Sequence, residues 1–178
     1  MSYCAAVRSP NIDPCHIPYH DTEYGFPVFS DTDLFERLLL EINQAGLSWT
    51  TVLKKRAGFR EAYAQFHIPT IASFNADDHA RLMADPGIIR NRLKIQAATQ
   101  NAQVVLELIR RHGSFAEWLH LHRGSDLTAW TKLFRKTFTF TGGEIVREFL
   151  MSTACLPGAH DPDCPIYLLF SGKTPCSS

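Results

Sequence analysis

Cys4 and His20 stand near the start of the sequence, and His160 and Cys164 stand near its end. Thiolate and imidazole are zinc ligands. Two of each make a closed Cys₂His₂ set suited to a structural site, not a catalytic one, which keeps one position open for water. Pro162, inside His160-Asp161-Pro162-Asp163-Cys164, places the second pair on a loop. One ion held by all four residues would cross-link the two ends of the chain, and in small zinc modules such binding is worth on the order of 10 kcal/mol. Spacing alone does not make the pairs meet. Cys15 and His16 are as close to His20, Cys176 is also near the end, and scattered surface His with buried Cys accounts for the same residues.

A second candidate is Glu41. Helical residues advance by about 100° each, and on that wheel Glu41 falls beside Leu34 and Ala45, at the edge of an apolar stripe and off the polar face of Glu36 and Asn43. A carboxylate there needs a partner, a cavity or a proton. An Arg or Lys partner is the plain reading. The neighbours suggest another: Gln44-Ala45-Gly46-Leu47-Ser48-Trp49 is a small-residue turn followed at once by Trp49, and Tyr19 and Tyr24 flank His20. Trp and Tyr faces attract cations, so a carboxylate between aromatic walls would suit a positively charged purine. Aromatic residues at helical spacing fit a plain core equally well.

Pro86-Gly87-Ile88-Ile89 is a tight turn leading into Arg90-Asn91-Arg92 and Lys94. Free N–H groups at such a turn and helix start suit a phosphate, and flanking cations add salt-dependent attraction. Other basic clusters are Lys54-Lys55-Arg56 with Arg60, and Lys132 with Arg135 and Lys136. Eighteen basic and eighteen acidic residues cancel, so any nucleic-acid footprint must be local. Solvated helix faces also explain such clusters.

Helices must position these groups. Ser30 with Asp33 starts a helix in which Leu34, Phe35, Leu38, Leu39, Ile42 and Ala45 recur at helical spacing, and Gly46 stops it. Ser48 caps a second helix through Leu53 and Arg56, and Phe59 to Phe66 continues its pattern. Asn75 with Asp78 starts another, ended by Pro86-Gly87. A long helix follows from about Asn91 to His112. Ser114 with Glu117 caps a short one, and others begin near Asp126 and from Gly143 to about Cys155. Thr137 to Thr141 alternates but is too short and isolated for a sheet. The expected fold is all-α and bundle-like, a single domain over 1–178, with irregular ends at 1–29 and 156–178.

With 178 residues and 45% hydrophobic content the chain can bury a substantial core. No apolar stretch approaches the roughly 20 residues that span a bilayer, and no signal-peptide pattern opens the chain. A cytoplasmic location without membrane association is expected, with the five cysteines reduced. Neither Gly-x-Gly-x-x-Gly nor a Walker A loop is present, and the deaminase pairing of His-x-Glu with Pro-Cys-x-x-Cys is absent.

Tyr19-His20-Asp21-Thr22-Glu23-Tyr24-Gly25, Leu40 to Trp49, Val52 to Arg56 and Gly87 to Ile95 together resemble the 3-methyladenine DNA glycosylase I family, most specifically through Gln44-Ala45-Gly46-Leu47-Ser48-Trp49. The resemblance runs from Cys4 to about Ala102 and returns from Gly142 to Cys164. It implies an all-helical glycosylase with a helix-hairpin-helix element over Gly87 to Lys94. DNA contacts would come from Gly46, Gly87, Ile88, Arg90, Arg92 and Lys94, and Leu47 would be wedged into the gap that the flipped base leaves. It implies one structural zinc (Zn²⁺) on Cys4, His20, His160 and Cys164. It further implies a base pocket with Glu41 as the catalytic carboxylate and with Tyr19, Tyr24, Trp49 and His16 around the base. The expected partner is double-stranded DNA containing alkylated adenine, and the expected assembly a monomer. The expected activity is monofunctional: hydrolysis of the N-glycosidic bond of 3-methyladenine. The alternative is a non-catalytic, zinc-stabilised module that binds damaged DNA. Ala6 stands where the family has Trp, His16 where it has Tyr, and Glu148-Phe149-Leu150 in place of a Tyr-Ser-Phe run.

Overall fold

The structure, a computed structural model, describes residues 2–169, so Cys176 lies outside the described residues. In chain order the α-helices are α1 (Tyr3–Val7), α2 (His16–Thr22), α3 (Asp31–Gln44), α4 (Trp49–Ala62), α5 (Ile68–Ala72), α6 (Ala76–Ala84), α7 (Arg92–His112), α8 (Phe115–Leu121), α9 (Leu127–Thr137), α10 (Gly143–Ser152) and α11 (Pro165–Leu168), with a 3-10 turn at Ala64–Phe66. No strand occurs among the described residues; Thr137 closes α9 and the residues after it turn. None of these helices is long and apolar enough to cross a membrane.

The helix starts follow their capping residues. Ser30, Ser48, Asn91, Ser114 and Asp126 each accept a hydrogen bond from a backbone N–H in the first turn that follows. Asn75 and Asp78 form a complete reciprocal capping box. The expected continuation of α4 to Phe66 is broken. Ala64, Gln65 and Phe66 take positive φ, which turns the chain so that Tyr63 and Phe66 stack at 6.1 Å in the core. The expected irregular ends also carry short helices, α1, α2 and α11. Pro18 is tolerated in α2 because it sits in the first turn, where its missing N–H would have no intrahelical partner.

α3 is the centre of the molecule and packs on α4, α7, α8 and α10. Every residue from Leu34 to Asn43 is buried, so the helix has no solvent face. Glu36 and Asn43, read from the helical wheel as its polar side, are buried as well. Arg56 and Arg60 pair with the Glu36 carboxylate, and the Asn43 side chain donates to the Leu39 carbonyl. Around α3 one apolar cluster runs from Leu34 to Leu150, rich in rings such as Phe115, Trp118, Trp130, Phe134 and Phe149. Asp31, at the start of α3, accepts from the backbone N–H groups of Phe115 and Ala116 and so caps α8 from a distant part of the chain.

Candidate base pocket, metal cluster and hairpin

α1 and α2 lay their rings against the inner end of α3. Here Glu41 meets Tyr3, Tyr19, Tyr24, Gln44 and Trp49 in a cavity of about 240 Å³, and Glu144 and Glu148 of α10 complete the wall. This is below the roughly 300–1,000 Å³ of drug-sized sites and suits one flat heterocycle. Tyr19 meets Trp49 edge to face at 5.3 Å, and Tyr3 meets Tyr24 likewise at 5.0 Å. Their packing leaves Glu41 only 5% exposed. Among the described residues nothing hydrogen-bonds or ion-pairs with its carboxylate. Burial first, and then the nearby carboxylate of Glu148, push its pKa up to about 8, while Arg37 pulls the other way. Arg37 is otherwise engaged, donating to the Tyr19 hydroxyl at 3.2 Å and to Glu23 at 2.8 Å. An unpaired carboxylate in an aromatic slot can accept hydrogen bonds from a base edge and balance positive charge.

Tyr19, Tyr24, Trp49 and Glu41 are thus brought together as expected, but His16 is not among the cavity residues. It lies buried behind Tyr3, with Nδ1 3.0 Å from the Tyr3 hydroxyl and Nε2 2.7 Å from the Thr50 hydroxyl. His16 positions Tyr3, and Tyr3 is the ring that reaches the cavity. Tyr3, Gln44, Glu144 and Glu148 line the cavity as well and were not among the base-pocket residues expected from the sequence. Of these, Gln44 stands in the specific motif, and Tyr3 adjoins a candidate metal ligand.

Cys4, His20, His160 and Cys164 converge, all buried, with their ligand atoms within 4.8 Å of one another. The Sγ to imidazole N separations run from 3.3 to 3.8 Å. A tetrahedral zinc with ordinary Zn–S and Zn–N bonds would set them about 3.6 Å apart. The outer ring nitrogens are already committed: His20 Nδ1 donates to Asp21 at 2.7 Å, and His160 Nε2 donates to the Tyr24 carbonyl at 2.7 Å. These bonds aim His20 Nε2 and His160 Nδ1 at the two sulfurs, as outer partners do for metal-bound histidines. The donor set fits a closed structural metal. Cys15 and Cys155 are not part of this cluster.

The hairpin lies between α6 and α7. Gly58 of α4 backs directly onto Gly87: a Cβ on Gly58 would sit 2.5 Å from the Gly87 carbonyl oxygen, so only glycine allows this approach. Lys55 Nζ donates to the Pro86 carbonyl at 2.7 Å, and Arg56 and Arg60 serve Glu36, so the first basic cluster is structural. The Gly87 N–H is occupied by Asp85, at 2.7 Å, and Ile88 is buried. Arg90 and Arg92 are exposed. Lys94, expected on phosphate, is not. It is 4% exposed, and its Nζ donates to the carbonyls of Asn43 and Ala45 at 2.9 and 2.7 Å. Those carbonyls end α3 and lack helical partners, so the lysine closes the helix from below. At the same turn Gly46 takes φ +83°, a conformation a side chain would strain, and Leu47 projects with 40% of its surface exposed.

The profile of the methyladenine glycosylase family matches residues 9–131. The chain is 42% identical over 135 residues to DNA-3-methyladenine glycosylase 1 of Escherichia coli (strain K12), covering 75% of this chain and 71% of that one. A solved structure of a point variant of 3-methyladenine DNA glycosylase I in complex with 3-methyladenine superposes with a TM-score of 0.84 at 31% identity, covering 93% of this chain and 97% of that chain. The 3-methyladenine DNA glycosylase I of Staphylococcus aureus gives a TM-score of 0.82 at 31% identity, over 90% and 94% of the two chains.

Proposed function

Because the chain belongs to the 3-methyladenine DNA glycosylase I family, a family of base-excision repair enzymes, we propose that it flips 3-methyladenine from duplex DNA into the Glu41 cavity and hydrolyses its glycosidic bond. The observation that carries this reading is the unpartnered carboxylate of Glu41 inside a cavity walled by Tyr19, Tyr24, Trp49 and Tyr3.

Extrusion of a base costs a few kcal/mol, least for a damaged one. Leu47 is an exposed apolar side chain in the turn between Gln44 and Trp49, which both line the cavity, and is fit to fill the vacated stack. Arg90 and Arg92 flank the hairpin and attract backbone phosphates. N3-alkylation leaves the adenine cationic and its bond to the sugar weak, so the protein needs recognition and charge stabilisation more than a nucleophile. Glu41 accepts hydrogen bonds from the base edge, the rings stack around it, and water attacks the sugar. We further propose that zinc occupies the Cys4, His20, His160 and Cys164 cluster. When bound it ties α1 and α2 to the 159–164 loop, and with four protein ligands it leaves no position for hydrolytic water.

The test is release of free 3-methyladenine from methylated duplex DNA by the purified protein, compared with Glu41→Ala. Release by the parent and its loss in the variant are expected. Tight binding to methylated DNA without release would favour the damage-binding module instead.

A further inference from the structure

We propose that Glu148 is a specificity-determining residue, a second anionic wall that makes the cavity select a cationic base over its neutral counterpart. The inference rests on the base-binding reading of the cavity.

Glu148 shares the cavity with Glu41, yet it comes from α10, in the Glu148-Phe149-Leu150 run that departs from the family pattern. Its carboxylate accepts from the Tyr24 hydroxyl at 3.1 Å and from Arg147 at 3.0 Å. Arg147 is shared with Glu144 at 2.7 Å. Three carboxylates therefore face the cavity region with one guanidinium among them. Arg37, the other cation near Glu41, is held by Glu23. The remaining neighbours do not correct the imbalance. Tyr3 from α1, Tyr19 from α2 and Tyr24 after it are phenols whose pKa burial drives upward, so they stay neutral, and α4 contributes only the indole of Trp49.

An excess of negative charge in a poorly solvated slot is relieved either by a proton or by a cation. In the free protein the proton sits on Glu41, whose pKa burial and Glu148 together raise to about 8. Entry of a cationic base takes the proton's place: Glu41 ionises and the proton leaves to solvent. A neutral base offers no such exchange. Selection by charge is thus a property of Glu41 and Glu148 together, which line the same cavity.

The experiment uses two probes that cannot be cleaved: 3,9-dimethyladeninium, a permanent cation whose N9 methyl stands for the sugar, and neutral 9-methyladenine. Binding is followed by calorimetry at pH 7 in two buffers of different ionisation enthalpy. The parent protein is expected to release close to one proton on binding the cation and none on binding 9-methyladenine. Glu148→Gln, whose amide oxygen can still accept from Tyr24, is expected to bind the cation about tenfold more weakly. Its Glu41 midpoint should move down by roughly one pH unit, so proton release shrinks. Its affinity for 9-methyladenine should not change, and Glu148→Asp should restore cation binding in part. Equal affinity of parent and Glu148→Gln for the cation, parallel loss of both probes, or a parent that fails to prefer the cation each overturns the inference. A parent with the expected preference but no base release from methylated DNA would refute the glycosylase reading and leave this one standing.

Discussion

His160 Nε2 donates to the carbonyl oxygen of Tyr24 at 2.7 Å, so one imidazole faces the Cys4 and Cys164 sulfurs with its other nitrogen and fixes a wall of the Glu41 cavity with this one. Gly25, next in the chain, takes φ +79° and has no room for a side chain beside His160 and Ala159. The cluster and the cavity are therefore mechanically joined. Stripping the metal with a chelator should lower the melting temperature first and loosen base binding as a consequence. A loss of about 4 kcal/mol would lower Tm by roughly 8–16 °C in a domain of this size. Calorimetry with and without chelator, and on Cys164→Ser, checks this; an unchanged Tm would remove the metal from the fold.

Glu41 is kept at a cost to stability. Its folded pKa of about 8 lies above its unfolded value, so the folded state holds the proton more tightly. The penalty is absent at low pH and grows as pH rises from the unfolded value to about 8, to at most about 5 kcal/mol. Glu41→Gln should accordingly stabilise the protein at pH 8 and much less at pH 5, while abolishing excision. Thermal melts at both pH values read the first effect and base release the second.

Lys94 and its neighbours on the hairpin should separate cleanly. Arg90→Ala and Arg92→Ala should each weaken DNA binding across all sequences and reduce the salt slope by about 1, with little change in Tm. Lys94→Met would leave the Asn43 and Ala45 carbonyls without their donor. It should cost about 1–3 kcal/mol of stability and leave the salt slope unchanged. Fluorescence anisotropy over a salt series distinguishes the two behaviours.

Leu47→Ala removes an exposed side chain, so its effect on Tm should stay within about 0.5 kcal/mol of zero. Excision from duplex DNA should nevertheless fall, because nothing fills the space the base leaves. The comparison is single-turnover release from duplex DNA against binding of the free base, which should be unaffected.

Gly58→Ala tests the contact between α4 and the hairpin. The new Cβ meets Gly87 backbone, which cannot swing away like a side chain, so the hairpin must shift. A loss of about 1–3 kcal/mol is expected, together with weaker DNA binding. Urea unfolding and anisotropy on one preparation measure both.

Local chemistry was legible in the sequence. Ser30, Ser48, Asn75, Asn91, Ser114 and Asp126 start their helices because a side-chain oxygen caps N–H groups two or three residues on, an interaction that needs no distant partner. The convergence of Glu41, Tyr19 and Trp49, and of Cys4, His20, His160 and Cys164, was expected because these residues stand in short, chemically distinctive runs. What the tertiary structure alone decided depends on residues far apart in the chain. A helical wheel assigns Glu36 to solvent, but α3 is surrounded on every side, and Arg56 and Arg60 arrive from another helix to neutralise it. Lys94 reads as a phosphate ligand until the end of α3 is seen to lie over it. His16 yields its place in the cavity to Tyr3, and Glu148 enters from α10, because direction and distance between helices are set by packing. No spacing along the chain records that.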